Sequence, residues 1–279
     1  MKQEEYISYK AAFCKAFDAK RTESVLEISE NELRPCIGKI PDSFFRYRRI
    51  TAYTDDEIIK GNVHLNNPGS YDDIFDSKCY IDKNGIGDAI VTNYLNSISI
   101  AENVPEYIDV VEEQDKYFQS VNKKIDERLR IACFTQKKDN VPMWYYYADK
   151  HKGICIEYDF SKLKSFVDLE YIFLPIIYPN KDETNNYRTG IFIQDTFDVS
   201  AVRNSLVKSN DWKFEKEWRI INLDGITDIL LPVKRVYLGY DIDEADKKHI
   251  IELVDKSALN ISICEMKESV IGLKAKKIK

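Results

Sequence analysis

Apolar positions along this chain recur with two periods, and together they lay out most of its elements. Tyr6, Tyr9, Ala12, Phe13, Ala16 and Phe17 fall three and four residues apart, which predicts an amphipathic helix over Glu4 to Lys20. Its apolar stripe calls for a neighbouring domain or a partner, with a homodimer through this helix as one form. Lys20 to Pro41 is polar, carries Pro35, Gly38 and Pro41, and reads as a connector. From Phe44 to Ile50 aromatic and basic residues alternate. An extended backbone there puts Arg46 and Arg48 on one face and Phe45, Tyr47 and Arg49 on the other. Thr54-Asp-Asp-Glu57 has capping-box spacing and predicts a short helix ending at Gly61, with a strand over Asn62 to Leu65 behind it.

Beyond the turn-rich stretch Asn66 to Asp76, residues 85 to 103 and 106 to 129 read as two helices, a hairpin inserted into the main domain. Strands follow at Arg130 to Thr135 and Ile154 to Tyr158, the second apolar on both faces and so central in its sheet. Between them Asn140 caps a helix that places Met143, Tyr146 and Tyr147 on one face and ends at Gly153. Glu170 to Tyr178 reads as a strand, Lys181 to Phe197 as a mobile loop, and Val199 to Lys208 as a helix. From Phe214 the chain extends again. Period two there sets Glu215, Glu217 and Arg219 on one face, against Phe214, Lys216, Trp218 and Ile220 on the other. A strand over Lys234 to Gly239, a helix over Asp243 to Asp255 and a strand over Ile261 to Met266 complete the pattern, and the lysine-rich tail from Gly272 reads as disordered. The expected fold is α+β, a mixed and largely antiparallel sheet flanked by helices. Residues 1–41 form an N-terminal helix and connector, 42–266 the main domain with an insertion at about 85–129, and 267–279 a basic tail.

Composition narrows the chemistry. A formal charge of −6 over 279 residues argues against nucleic-acid binding through overall basicity. Eighteen tyrosines supply flat contact area with polar tips, suited to binding surfaces. Six cysteines are scattered without a Cys-x-x-Cys pair, which indicates neither a zinc cage nor a disulfide framework. Asp72, Asp73 and Asp76 lie within five positions, an arrangement more typical of caps and solvated turns than of a cation site, and His64 nearby has no ligand spacing, so no metal is assigned. The charged N-terminus lacks a signal peptide's apolar core and no run approaches the roughly 18 apolar residues of a membrane span, so the chain is expected in the cytoplasm without membrane association.

Several stretches then resemble one known family in order: Phe45-Arg-Tyr-Arg48, Leu65 to Asp76, Cys133-Phe-Thr135, Met143-Trp144, Tyr147-Ala148, His151 to Asp159, Trp212, Glu215-Lys-Glu-Trp-Arg219 and Tyr237-Leu-Gly239. The chain resembles the bacterial DUF2971 family, of unknown function, over about Ser43 to Met266. Its turn at Pro68 departs from the family form, with Asp72 for an amide and Ile74 for a proline. The resemblance implies a phage-defence or toxin-type effector setting.

The order Arg, Thr, Glu-x-Glu is also similar to ADP-ribosyltransferase-like enzymes, which implies NAD as cofactor or substrate. On that reading Arg46 or Arg48 grips the diphosphate, Thr135 positions a ribose or the backbone, Glu217 with Glu215 stabilises the charge that develops as nicotinamide leaves, and Tyr147 or Trp144 stacks on the ring. Tyr47, His151, Trp212 and Arg219 complete the expected ligand-binding set. Two alternatives stand beside it. Asp76-x-Lys78 and Asp211-x-Lys213 each resemble half of the acid-x-Lys motif of a metal-dependent nuclease. Glu215, Glu217 and Arg219 can instead form an ion-pair ladder with Arg46 and Arg48 in a non-catalytic nucleotide- or ligand-binding module. The partner is accordingly a nucleotide-like small molecule or a macromolecular target.

Overall fold

The computed structural model describes residues 1–17, 24–71, 73, 76–77, 116, 119–120, 123–162, 171–183 and 197–279. Most of the expected helical insertion, residues 184–196 of the expected loop, and Asp72 lie outside these. Ten strands are described: β1 (Ser43–Arg48), β2 (Asn62–His64), β3 (Arg130–Thr135), β4 (Ile154–Asp159), β5 (Ile172–Pro175), β6 (Glu217–Asn222), β7 (Asp228–Leu230), β8 (Val233–Leu238), β9 (Ser262–Ser269) and β10 (Gly272–Lys277). Eight of them form one sheet in the order β10-β9-β8-β4-β1-β3-β6-β5, while β2 and β7 pair separately. Every pairing is antiparallel except β8 with β9, and the helix between those two strands provides the crossover that a parallel pair requires. The fold is α+β, as the pattern of the sequence predicts.

Six α-helices accompany the sheet among the described residues: α1 (Gln3–Ala16), α2 (Val25–Ile28), α3 (Ala52–Lys60), α4 (Val141–Tyr147), α5 (Phe197–Ser205) and α6 (Glu244–Lys256). The larger core unites Tyr9 and Phe13 of α1, Val25 and Ile28 of α2, Ile58 of α3, and Ile250, Leu253 and Val254 of α6 with Phe44, Phe134, Ile156, Trp218 and Val236 from the sheet. A smaller core on the other face joins Phe45, Tyr47, Cys155, Tyr237 and Met266 to Met143 and Trp144 of α4. The apolar stripe of α1 is therefore spent on the chain's own sheet, where Tyr9 also donates to the Pro175 carbonyl at 2.9 Å. The connector is more structured than its polar composition suggests, because Val25, Ile28, Leu33 and Ile37 are buried there through short helical turns. The tail is not disordered either, since β10 pairs with β9 through Lys277.

Two local assignments shift with consequences. The N-cap of α3 is Thr51, bonded through Thr54, so Glu57 is not a capping residue but a carboxylate buried at 1% exposure. Asn210 to Glu215 is a 3-10 helix, Lys216 turns left-handed at φ 48°, and β6 begins only at Glu217. Glu215 thus reaches its neighbours from a turn rather than along the strand.

Behind α4 the chain strings three left-handed residues together, Asp149, Lys150 and His151, at φ 45°, 52° and 72°. Backbone bonds fix this turn: Asp241 donates to the His151 carbonyl at 3.0 Å, and Gly239 donates to the Gly153 carbonyl at 2.9 Å. Gly239 packs so closely that a Cβ would stand 2.0 Å from the His151 oxygen and 2.7 Å from the Gly153 oxygen. Both obstacles are backbone, so Gly239→Ala is expected to cost about 1–3 kcal/mol through forced displacement. Urea unfolding measures it, and an unchanged midpoint would show that the turn yields freely.

Candidate functional site

Alternation along paired strands decides which charged residues can meet. Phe45 opposes Thr135, and Thr135 opposes Glu217, so these three share a face. Arg46 and Arg48 have the opposite parity and side with their partners Ile156 and Ile154 in the larger core. The expected convergence of Arg46 or Arg48 with Thr135 and Glu217 is thereby corrected: the pleat sends the arginines to one face and the acids to the other. The ladder of Glu215, Glu217 and Arg219 against Arg46 and Arg48 falls for the same reason.

Five charged side chains assemble on the acidic face. Arg219, fully buried, grips Asp76 with a two-pronged fork, Nη1 to Oδ1 and Nη2 to Oδ2 both at 2.7 Å. Its Nε donates to Glu217 Oε1 at 2.6 Å, while Nη1 also donates to Ser77 Oγ and to the Ser205 carbonyl, each at 2.8 Å. Lys208 Nζ bridges Glu215 Oε2 at 2.7 Å and Glu217 Oε2 at 3.0 Å, with Asp76 Oδ2 at 3.6 Å. Tyr147 closes the group by donating to Glu215 Oε1 at 2.5 Å. Thr135 donates to the Glu215 backbone carbonyl at 2.5 Å, and the Glu217 N–H donates to the Tyr178 hydroxyl at 3.0 Å. Thr135 therefore holds a backbone turn in place.

Counting charge explains the protonation. Three carboxylates face two cations, which leaves one negative charge uncompensated in a buried place. Asp76 and Glu217 take the Arg219 fork, so the proton goes to Glu215. Burial, then the neighbouring Glu217, push the Glu215 carboxyl up to about 7 against the opposing pull of Lys208. Burial acts the same way on Glu217, but Arg219 and then Lys208 overcome it and hold that carboxyl well below the ordinary range. Lys208, pushed down by burial, is lifted above its ordinary value by Glu217 and Glu215. Burial and then Glu217 raise the nearby Cys133 thiol to about 12, which keeps it protonated.

The remaining expected site residues divide. Tyr147 sits in the cluster and is 36% exposed, so it links Glu215 to solvent. Trp212 stands beside it, its ring 5.1 Å from Lys208 Nζ and 6.5 Å from the ring of Tyr146, which is itself 56% exposed. Trp144 and Tyr47, expected at a ligand, are buried against each other at 5.1 Å. Trp144 donates to the Lys138 carbonyl and Tyr47 to the Lys137 carbonyl, both at 2.8 Å, so they are core residues with satisfied polar tips. Met143 and Trp144 form the buried side of α4, which corrects the expected face and turns Tyr145, Tyr146 and Tyr147 outward. His151 lies on the left-handed turn near Tyr145, with ring centroids 6.3 Å apart, and its Nδ1 is buried without a partner among the described residues. Lys208 carries no motif that singles it out, and the acidic run and acid-x-Lys spacing that hold Asp76 do not point to Arg219 as its partner. Only the odd carboxylate count around Arg219 marks them, and that count exists in three dimensions.

Two expectations follow from this charge count. Asp76→Asn leaves Arg219 buried with half its fork unanswered and should cost about 3–5 kcal/mol in denaturant unfolding. The second concerns pH. Because the folded chain holds the Glu215 proton more tightly than the unfolded chain, that proton's contribution is complete below the ordinary carboxyl value of 4.5 and is lost as pH rises through about 7. Glu217 acts oppositely, contributing above the ordinary range and losing its contribution as pH falls. Glu215→Gln should therefore remove on the order of 2 kcal/mol of the decline in stability between about pH 5 and pH 8. An unfolding series in which variant and wild type decline in parallel would exclude Glu215 as the titrating group.

No curated protein and no solved structure matches the chain. Residues 143–220 match the family model DUF2971, described as a protein of unknown function. That span holds Tyr147, Lys208, Trp212, Glu215, Glu217 and Arg219, while Asp76, the remaining member of the cluster, lies outside it. Across residues 143–220 the chain is similar to the DUF2971 family.

Proposed function

We propose that this chain is a hydrolase or transferase in which Glu215 moves a proton while a bond is cleaved in a ring-bearing, nucleotide-like small molecule, NAD among the candidates. One observation carries the reading: Glu215 is poised at about pH 7 and bonded to the half-exposed Tyr147, so it reaches the surface where the rest of the charge cluster does not. A group poised near neutrality exchanges its proton efficiently in either direction. Trp212, Tyr146 and Tyr145 beside it offer flat faces for a ring.

With NAD as substrate and water as acceptor, the chemistry balances. Ionised Glu215 takes a proton as the water oxygen bonds to the ribose carbon. The carbon–nitrogen bond breaks, its electron pair returns to the nicotinamide nitrogen, and Glu215 then releases the proton to solvent. A hydroxyl of a second molecule in place of water makes the reaction a transfer. Glu217 is a positioning residue here, because the pairing with Arg219 and Lys208 holds it ionised, and its fixed charge tunes Glu215. The phage-defence or toxin-type role that the family resemblance implies would follow from depletion of such a nucleotide.

A second reading is a nucleotide- or ligand-binding module without turnover, favoured by the full mutual occupancy of Glu217 and Arg219. The nuclease alternative is weakened, since both Asp76 oxygens bind Arg219 and the described residues contain no group of three His, Cys, Asp or Glu able to hold a metal.

Incubating the protein with NAD and with nucleoside mono- and triphosphates, followed by chromatography, tests the reading. Glu215→Gln should lower turnover about 10²- to 10⁴-fold while leaving the far-ultraviolet spectrum unchanged, Tyr147→Phe should lower it less, and a chelator should not matter. Saturable binding without product in the wild type would instead establish the binding module.

A further inference from the structure

The opposite face of the sheet carries the complementary imbalance. Arg46 Nη1 lies 3.1 Å from Glu57 Oε1, and Arg48 Nε lies 3.5 Å from Glu57 Oε2. Tyr158 donates to Glu57 Oε1 as well, so this one carboxylate serves two guanidinium groups and a phenol. Two cations against one anion leave a surplus positive charge. Arg46 and Glu57 are sealed, at 5% and 1% side-chain exposure, whereas Arg48 keeps 22%. Among the described residues Glu57 is the one ion-pair partner of Arg48 and meets it at Nε, which leaves the Nη edge open on a side chain that still reaches solvent. Burial, and then the like charge of Arg46, disfavour the charged form of Arg48, an opposition that an arriving anion would relieve.

We infer that the Arg46–Arg48–Glu57 cluster is a binding site for a phosphate-type oxyanion, received by the open edge of Arg48 with Arg46 charged behind it. The geometry suits this class of ligand. A planar guanidinium meets two oxygens of a tetrahedral anion at once, and Glu57, an ion-pair partner 3.5 Å from Nε, leaves the Nη edge of Arg48 to such an anion. Strand β1 positions both arginines through its register with β4, where Arg46 opposes Ile156 and Arg48 opposes Ile154, and α3 supplies Glu57 from above. The site lies across the sheet from Glu215, does not depend on turnover there, and would receive either free phosphate or the phosphate of a nucleotide.

Thermal unfolding of the full chain in sodium phosphate, in adenosine monophosphate, and in sodium chloride of matched ionic strength tests the inference. Stabilisation by phosphate beyond chloride, with affinity reduced at least about tenfold in Arg48→Gln, supports it with free phosphate as the source. Stabilisation by the mononucleotide alone, lost in the same variant, supports it with a nucleotide as the source. Should Arg48→Gln fail to fold, Arg48→Lys retains the charge without the fork and should show the same direction of loss. No stabilisation by either anion beyond chloride overturns the inference, as does an unchanged response in the Arg48 variants. Glu215→Gln should keep the full phosphate response, and its loss there would overturn the inference by moving the anion to the other face.

Discussion

The paired fork between Arg219 and Asp76 is the interaction around which the acidic face is arranged. A guanidinium at zero exposure is costly to bury unless its donors are answered, and here Asp76, Glu217, Ser77 and the Ser205 carbonyl answer them. These partners come from the turn after β2, from β6 itself and from the end of α5. One side chain therefore ties two remote segments to the sheet. The same constraint sets the chemistry, because Arg219 and Lys208 bring two positive charges to the three carboxylates Asp76, Glu217 and Glu215.

The two faces of the sheet differ in the sign of what is left over. On one, three carboxylates meet two cations. On the other, two arginines meet Glu57. Each surplus lies beside a partly exposed residue, Tyr147 in one case and Arg48 in the other, and not in the sealed interior. An uncompensated charge is tolerable where water or a ligand can reach it, so the imbalance and the opening belong together.

Tyrosine abundance acquires a physical meaning in this frame. Tyr147, Tyr158 and Tyr237 each donate a hydroxyl to a buried carboxylate, Glu215, Glu57 and Glu157 respectively, while Tyr178 accepts the Glu217 backbone N–H. A phenol fills core volume and still satisfies one lone pair at its tip, which is the combination a charge beneath a sheet needs.

Periodicity alone determined the strands at β1, β3, β4, β6 and β8, the helices at α1 and α6, and the facing of Arg46 and Arg48 away from Tyr47, because local alternation reports burial directly. It also placed Glu217 and Arg219 on one face. It could not place Glu215, whose position depends on the left-handed Lys216, nor read Glu57 as anything other than a helix cap, since the same spacing serves both. Above all, the order Arg, Thr, Glu-x-Glu along the chain carried no information about which face each member would occupy once β1 was set between β4 and β3. Only tertiary pairing fixed that parity, and with it the separation of one expected cleft into an acidic cluster and a basic one on opposite sides of a single sheet.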